Sequence, residues 1–314
     1  MTSVIEFFTS LGSTIFSSLD LIGVYVILAL GLNLINGMAG MFSIGHAGFW
    51  AVGAYTAAAI TVHDPLSTPW PVTLALSIIA AIAVTGFAGL VLALPCSRLA
   101  GDYLAIATLG FSIIVVSLLY NLDFVGAATG LSTPTYVSKG FIWLMVALSL
   151  LFYYRLQYSN LGRTILALRE DEIAAQSIGV NRVRLKILVF VLGAGMAGLA
   201  GALFANSATY INPAGFEFDQ SIKILTMVVL GGLGSLTGVV LAAVLLTLLP
   251  EVLRLVNLAD YQMLVFSVLL IVMVLVRPQG ILGRKELWDL PLLRRYWRPS
   301  GPLRVALGSV EVKS

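Results

Sequence analysis

Four groups of residues in this 314-residue chain carry side chains or backbone freedom that could serve a function. The densest is Arg169-Glu170-Asp171-Glu172, inside a segment from Asn160 to Asn181. Around it Leu161, Ile165, Leu168 and Ala175 recur at intervals of four, three and seven, the apolar stripe of a helix. Gly179 is placed to stop that helix. A short, charged, amphipathic helix suits the groove of a soluble partner, and spacing alone equally allows a helix flat on a membrane or a solvated connector. The second group is Asn33, Asn36 and His46, the last within Ser43-Ile44-Gly45-His46-Ala47-Gly48. An ionisable group in an apolar run is a candidate for function. The alternative for His46 is a neutral ring hydrogen-bonded between helices near the cytoplasmic end of its segment. The third group is Thr108, Ser112, Asn206, Thr226 and Ser235, which either face a polar pathway or bond their own helix backbone. The fourth is Gly231, Gly232 and Gly234, three glycines in four positions, where a helix breaks or the chain turns tightly.

Reactive chemistry is not what these groups suggest. Cys96, the single cysteine, sits beside Pro95 at the end of an apolar run and reads as a packed, inert thiol. One cysteine excludes a disulfide framework and a thiolate zinc site. His46 has no second histidine or acid at ligand spacing, so no metal site is expected. The Gly-x-x-x-x-Gly-Lys-[Ser/Thr] pattern is missing, so any ATP is hydrolysed by a partner. No cofactor is expected.

The elements that must position these residues are membrane helices. Hydrophobic residues make up 59% of the chain and charged ones 11%, with a mean hydropathy of +0.99. Soluble domains carry roughly 25% charge, so a cytosolic enzyme, a nucleic-acid-binding module and a disordered regulator are excluded. A spanning helix needs about 20 mostly apolar residues. Nine segments qualify as candidates: Leu19–Ile35, Met41–Thr61, Val72–Leu94, Tyr103–Tyr120, Gly140–Leu156, Lys186–Asn206, Phe216–Gly231, Ser235–Val256 and Tyr261–Val276. The seventh is short and carries Lys223, which marks it as a half-helix or a re-entrant segment. The fold class is therefore all-α, a polytopic transmembrane bundle of about 8–9 spans with broken helices.

Charge sets the orientation. The stretches Arg155–Lys186 and Arg277–Ser314 hold 14 of the 18 basic residues and only six of the 15 acids. The positive-inside rule puts both in the cytoplasm. Four crossings separate them, and counting back from Arg155 puts the N-terminus outside. The N-terminal residues have neither a basic start nor a small-residue cleavage site, so no cleaved signal peptide is expected. The permease domain is expected over 1–283, with a cytoplasmic loop at 155–186. A basic tail over 284–314, with Trp288, Tyr296 and Trp297 interleaved, is expected at an anionic lipid surface.

Six stretches taken together resemble the permease subunits of branched-chain amino-acid ABC importers. They are Gly31–Gly37, Ser43–Phe49 with Gly53–Tyr55, Gly101–Gly110, Gly162–Gly179, Met227–Ser235 and Arg277–Gly280. Each alone is weak, and their order and spacing carry the resemblance from about Gly31 to Gly280. It implies an ABC importer permease in the bacterial cytoplasmic (inner) membrane. It also implies a second related permease, two ATP-binding subunits and an extracytoplasmic substrate-binding protein as partners, with no nucleic acid. The Gly162–Gly179 segment becomes the coupling helix, with Gly162, Arg163, Arg169, Glu170, Asp171, Glu172, Ala175 and Gly179 serving the ATPase. Asn33, Asn36, His46 and Thr108 are the candidate pathway residues. The segment Val125–Leu131 departs from a more glycine- and threonine-rich family pattern, which leaves the cargo open between branched-chain or other small neutral amino acids and urea or short amides. The scarcity of ionisable residues in the spans disfavours an ion-coupled carrier, and a passive channel would need a lined filter.

Overall fold

The computed structural model describes residues 18–63, 69–99 and 101–255, with single positions beyond them as far as 283. Helix α1 runs Ser18–Met38, and its last six residues, Asn33–Met38, are wound as a π-turn. There follow α2 (His46–His63), α3 (Trp70–Cys96), α4 (Asp102–Asn121) and α5 (Lys139–Gln157). Two short helices, α6 (Asn160–Glu170) and α7 (Glu172–Ser177), link α5 to α8 (Arg182–Ser207). The described bundle ends with α9 (Phe218–Gly231) and α10 (Leu236–Leu255). Helices α1, α3, α4, α5 and α8 are long and apolar enough to cross a bilayer. Eight of the nine expected segments are helical. Most of the ninth and the whole 284–314 tail lie outside the described residues.

One boundary differs from expectation in a way that matters. The second segment was expected from Met41, but α2 begins at His46. Residues 39–45 fold back along α1 instead: the Met41 N–H donates to the Ile35 carbonyl at 3.1 Å. The first residue of α2 consequently lies beside Gly31, deeper than the cytoplasmic-end position the sequence suggested for His46.

Packing is organised around α8. A Cβ on Gly53 of α2 would lie 2.6 Å from the Cα of Gly198, and one on Gly198 would lie 2.7 Å from the Ala81 carbonyl of α3. A Cβ on Gly193 would lie 2.9 Å from the Gly31 carbonyl of α1. Three helices thus meet α8 backbone to backbone, as small residues permit in membranes. Helix α2 has twelve of its 18 residues buried, which makes it the central helix and explains its alanine- and glycine-rich sequence. The outer helices show the opposite pattern. Ile79 and Phe87 of α3, Ile106 and Ile114 of α4, and Leu144 and Leu151 of α5 point outward, while Ser77, Thr85, Ser112 and Asn206 are buried. Apolar outside and small or polar inside is the arrangement of a chain whose solvent is lipid.

At the end opposite α6 and α7, two-residue strands β1 (Leu131–Ser132) and β2 (Tyr210–Ile211) pair antiparallel, Leu131 opposite Ile211. The Thr133 hydroxyl donates to the Ala208 carbonyl at 2.7 Å. These bonds fasten the α4–α5 connection to the α8–α9 connection.

Gly53→Val should lower the melting temperature of the purified protein in detergent, by an overpacking cost of about 1–3 kcal/mol. Gly110→Ala, where an added Cβ meets nothing within 4 Å, should leave it unchanged.

Candidate functional site

A broken backbone creates the central site. Helix α9 stops at Gly231, and Gly232 (φ +107°) and Gly234 (φ +92°) lie in the left-handed region before α10 starts at Leu236. The N–H and carbonyl groups freed there cannot reach water inside a bilayer and must find partners in the protein. Asn33, on the π-turn of α1, supplies them. Its Oδ1 accepts from the Gly234 N–H at 2.8 Å, and its Nδ2 donates to the Ser235 carbonyl at 3.1 Å and to the Tyr153 hydroxyl of α5 at 2.8 Å. Asn33 is completely buried. One amide therefore ties α1, α5 and the α9–α10 junction together. Gly37 makes this possible, since a Cβ there would collide with the Asn33 amide and lie 2.5 Å from the Gly234 nitrogen. Gly280, from the Arg277–Gly280 motif, packs its backbone on Gly232 from the other side.

The second break, residues 39–45, is held the same way. The Asn36 amide pairs with the Ser43 backbone, donating to its carbonyl at 3.0 Å and accepting from its N–H at 3.1 Å. The Thr108 hydroxyl of α4 accepts from the Ile44 N–H at 3.1 Å. Ser221, in the first turn of α9, accepts from the Ala47 N–H at 3.2 Å. Gly45 and Gly48 let this loop press on Thr108 and Ser112. His46 is fully buried, its ring edge-on to Phe49 at 6.2 Å, and neither ring nitrogen has a hydrogen-bond partner among the described residues. Of the four candidate pathway residues, Asn33, Asn36 and Thr108 each have a backbone group as partner.

The charged segment is two helices rather than the single one expected. Asp171 is extended (φ −151°, ψ 110°) and separates α6 from α7. Its carboxylate then caps α7, accepting from the Ile173 and Ala174 N–H groups at 2.9 and 3.0 Å. A side chain that bonds the backbone two and three residues ahead competes with helix continuation, and this breaks the stripe. Ile165, Leu168 and Ala175 face inward as spacing indicated, but Leu161 is half-exposed. Gly179 (φ +90°) ends α7. Ile173 and Ile178, just after the charged run Arg169–Glu172, are each 78% exposed.

The charges have different partners. Arg169 reaches into the break: its guanidinium donates to the Gly37 carbonyl, its stem covers Gly40, and its Nη1 would lie 3.0 Å from a Cβ on Gly234. Glu172 instead clamps α7 to α8, accepting from Lys186 at 3.0 Å and Arg182 at 2.9 Å. Partial burial raises the Glu172 pKa, but the bonds to Lys186 and Arg182 outweigh it and hold the carboxyl below its ordinary range. Sequence reasoning grouped Arg169 and Glu172 as one charge cluster, gave Gly37 no role at the site, and missed Tyr153, Ile173 and Ile178. The exposure of the two isoleucines had no signal, because their spacing also suits burial.

A carboxyl with a lowered pKa stabilises the fold above its unfolded value, and that contribution is lost as pH falls through the folded value. Amide hydrogen exchange over α7, corrected for the intrinsic pH dependence of exchange, should therefore show full protection from neutral pH down to the ordinary carboxylate range and lose it below. Glu172→Gln should lower that protection already at neutral pH. Asn33→Ala, which leaves the buried Gly234 N–H without an acceptor, should cost about 1–3 kcal/mol in thermal unfolding.

A family model described as "Branched-chain amino acid transport system / permease component" matches residues 14–274. The high-affinity branched-chain amino acid transport system permease protein LivM of Salmonella typhimurium is 38% identical, covering 88% of this chain and 71% of its own length. LivM of Escherichia coli is likewise 38% identical over 88% of this chain. The permease protein LivH of Salmonella typhimurium is 28% identical, covering 86% of this chain and 95% of its own length. No solved structure matches the chain.

Proposed function

The chain belongs to the family of branched-chain amino acid transport system permease components, and from that premise we propose that it is the LivM-type subunit of an ATP-driven importer of branched-chain or other small neutral amino acids. It is a multi-pass membrane protein and a permease, not an enzyme. It pairs with a LivH-like second permease, two ATP-binding subunits below and a substrate-binding protein above. It sits in the bacterial inner membrane with its N-terminus outside and its C-terminus in the cytoplasm. Arg163, Arg169, Arg182 and Lys186 cluster on the α6–α8 side, whereas Asp123, Glu217 and Asp219 belong to the opposite connections, which supports that orientation.

One observation carries the mechanism: the Arg169 bond from the α6–α7 segment to Gly37. Residues 162–179 form the coupling segment. Ile173 and Ile178 seat in an ATPase groove, and the surrounding charges, including Arg163, Glu170 and Glu172, fix the register. When ATP draws the ATPases together, α6 moves, and Arg169 passes that movement to the π-turn of α1. Asn33 passes it on to Gly234 and so to both α9 and α10. Gly231, Gly232 and Gly234 are the hinge. Asn33, Asn36, His46 and Thr108 form the wall behind the path and hold the broken backbone that lines it. Concentrating a neutral solute a thousandfold requires about 4 kcal/mol, well within what ATP supplies. Nothing in the structure favours urea, short amides or ion-coupled transport over this reading.

Affinity purification of the tagged chain from native membranes should bring along two ATPases and a second permease. Ile173→Asp with Ile178→Asp should abolish ATPase recovery while membrane insertion stays normal. Arg169→Ala should retain the ATPases and their hydrolysis but lower uptake roughly tenfold, a typical coupling energy. Unchanged uptake by Arg169→Ala would sink the linkage. A chain that purifies alone and supports uptake in liposomes without ATP would overturn the importer reading.

A further inference from the structure

The N-termini of α2 and α9 meet inside the bundle, where the Ala47 N–H bonds Ser221. Helix starts carry positive potential; Glu217 and Asp219 stand at the start of α9, whereas the first turn of α2 holds no acid. Lys223, in the second turn of α9, lies with its Nζ 4.4 Å from the centroid of the Tyr25 ring. Tyr25 is seven residues into α1, about 10 Å along the helix axis at 1.5 Å per residue, so the ammonium lies within the membrane-crossing part of the chain. Among the described residues no carboxylate comes within ion-pair distance of it. Glu251 acts on it only from farther away. An ammonium at such depth is costly unless it serves a function.

A second, independent observation points the same way. Trp50 packs against Tyr25 at 5.8 Å and Phe216 at 4.6 Å and is 2% exposed, yet its indole N–H has no acceptor among the described residues. Tyr55, beside Phe216 at 5.8 Å, has a buried hydroxyl in the same condition. The amide oxygen of Gln220 is taken by the Tyr25 hydroxyl at 2.8 Å. This corner therefore offers an ammonium, an indole N–H and a hydroxyl, walled by aromatic rings, and lacks an acceptor for them. Buried donors of this kind are normally satisfied.

We propose that Lys223 and Trp50, which both pack against Tyr25, bind the carboxylate of the amino acid in transit, while the Tyr25, Trp50 and Phe216 rings receive its apolar side chain. The proposal rests on the importer reading and names where in this chain the cargo is held. The site recognises the anionic end common to all neutral amino acids, so it carries the class and leaves discrimination among them to the binding protein. It also separates amino acids from urea and amides, which have no carboxylate.

The test is ATP-driven uptake of a radiolabelled branched-chain amino acid by the complete transporter in proteoliposomes, with the binding protein supplied. Lys223→Met should lower the maximal rate by about tenfold or more, the scale of a lost charge-assisted hydrogen bond. Lys223→Arg should restore most of it, which a merely structural role would not require. Trp50→Phe keeps the ring and removes only the N–H, and it should reduce the rate severalfold. If Lys223→Met does not assemble, Trp50→Phe decides alone. Wild-type rates in Lys223→Met or Trp50→Phe, or equal losses in Lys223→Met and Lys223→Arg, overturn the site. A wild-type complex without ATP-dependent amino-acid uptake overturns the importer reading instead.

Discussion

A backbone broken inside a bilayer must be satisfied by the protein itself, and the rest of this fold is arranged around that requirement. Among the described residues two breaks stand out, at residues 39–45 and at Gly231–Ser235. The first is held by Asn36, Thr108 and Ser221, and the second by Asn33. Each freed peptide group costs several kcal/mol in hydrocarbon, so these four side chains have no alternative occupation that the fold could tolerate. Their positions then fix other choices: glycine at 37 and 45, where any side chain would collide with Asn33 or Thr108, and a π-turn that brings Asn33 toward the junction.

Satisfying both breaks from α1 and its neighbours couples them. Asn33 and Asn36 lie on the same π-turn, so a movement of that turn acts on the start of α2 and on the α9–α10 junction together. Arg169 joins this turn to the α6–α7 segment. The α8 glycines provide the opposite property. Helices in backbone contact at Gly53, Gly193 and Gly198 cannot shift without collision, so α1, α2, α3 and α8 form a stiff frame. A hinge rich in positive-φ glycine set against a frame of close-packed glycine gives one residue type two mechanical roles.

The charged loop shows how far a pattern can be read. Its inward residues, Ile165, Leu168 and Ala175, and its stop at Gly179 were legible from spacing, because helical periodicity is a local property. Its division into two helices was not, because Asp171 suits both a helix surface and a cap. The choice depends on whether the neighbouring helices leave room for a straight rod. The same holds for Glu172 and Arg169, three residues apart: one closes on α8 and the other reaches α1, and only the relative placement of those helices separates them.

Composition and spacing determined by themselves that this chain crosses a membrane many times, where its glycines break a helix, and which family it resembles. These follow from the solvent and from local sequence, since lipid demands apolar helices and glycine alone tolerates positive φ without strain. The tertiary structure decided what the few polar residues do. Asn33, Asn36 and Thr108 each bond a backbone group at a break. Lys223, which looked like a mark of a short helix, stands beside Tyr25 with no acid within ion-pair distance among the described residues. The physical reason is that a polar side chain's role is set by which unsatisfied group lies within hydrogen-bond reach of it. In this chain those groups lie far away in sequence: Gly234 is 201 residues from Asn33, and Ser221 is 174 from Ala47.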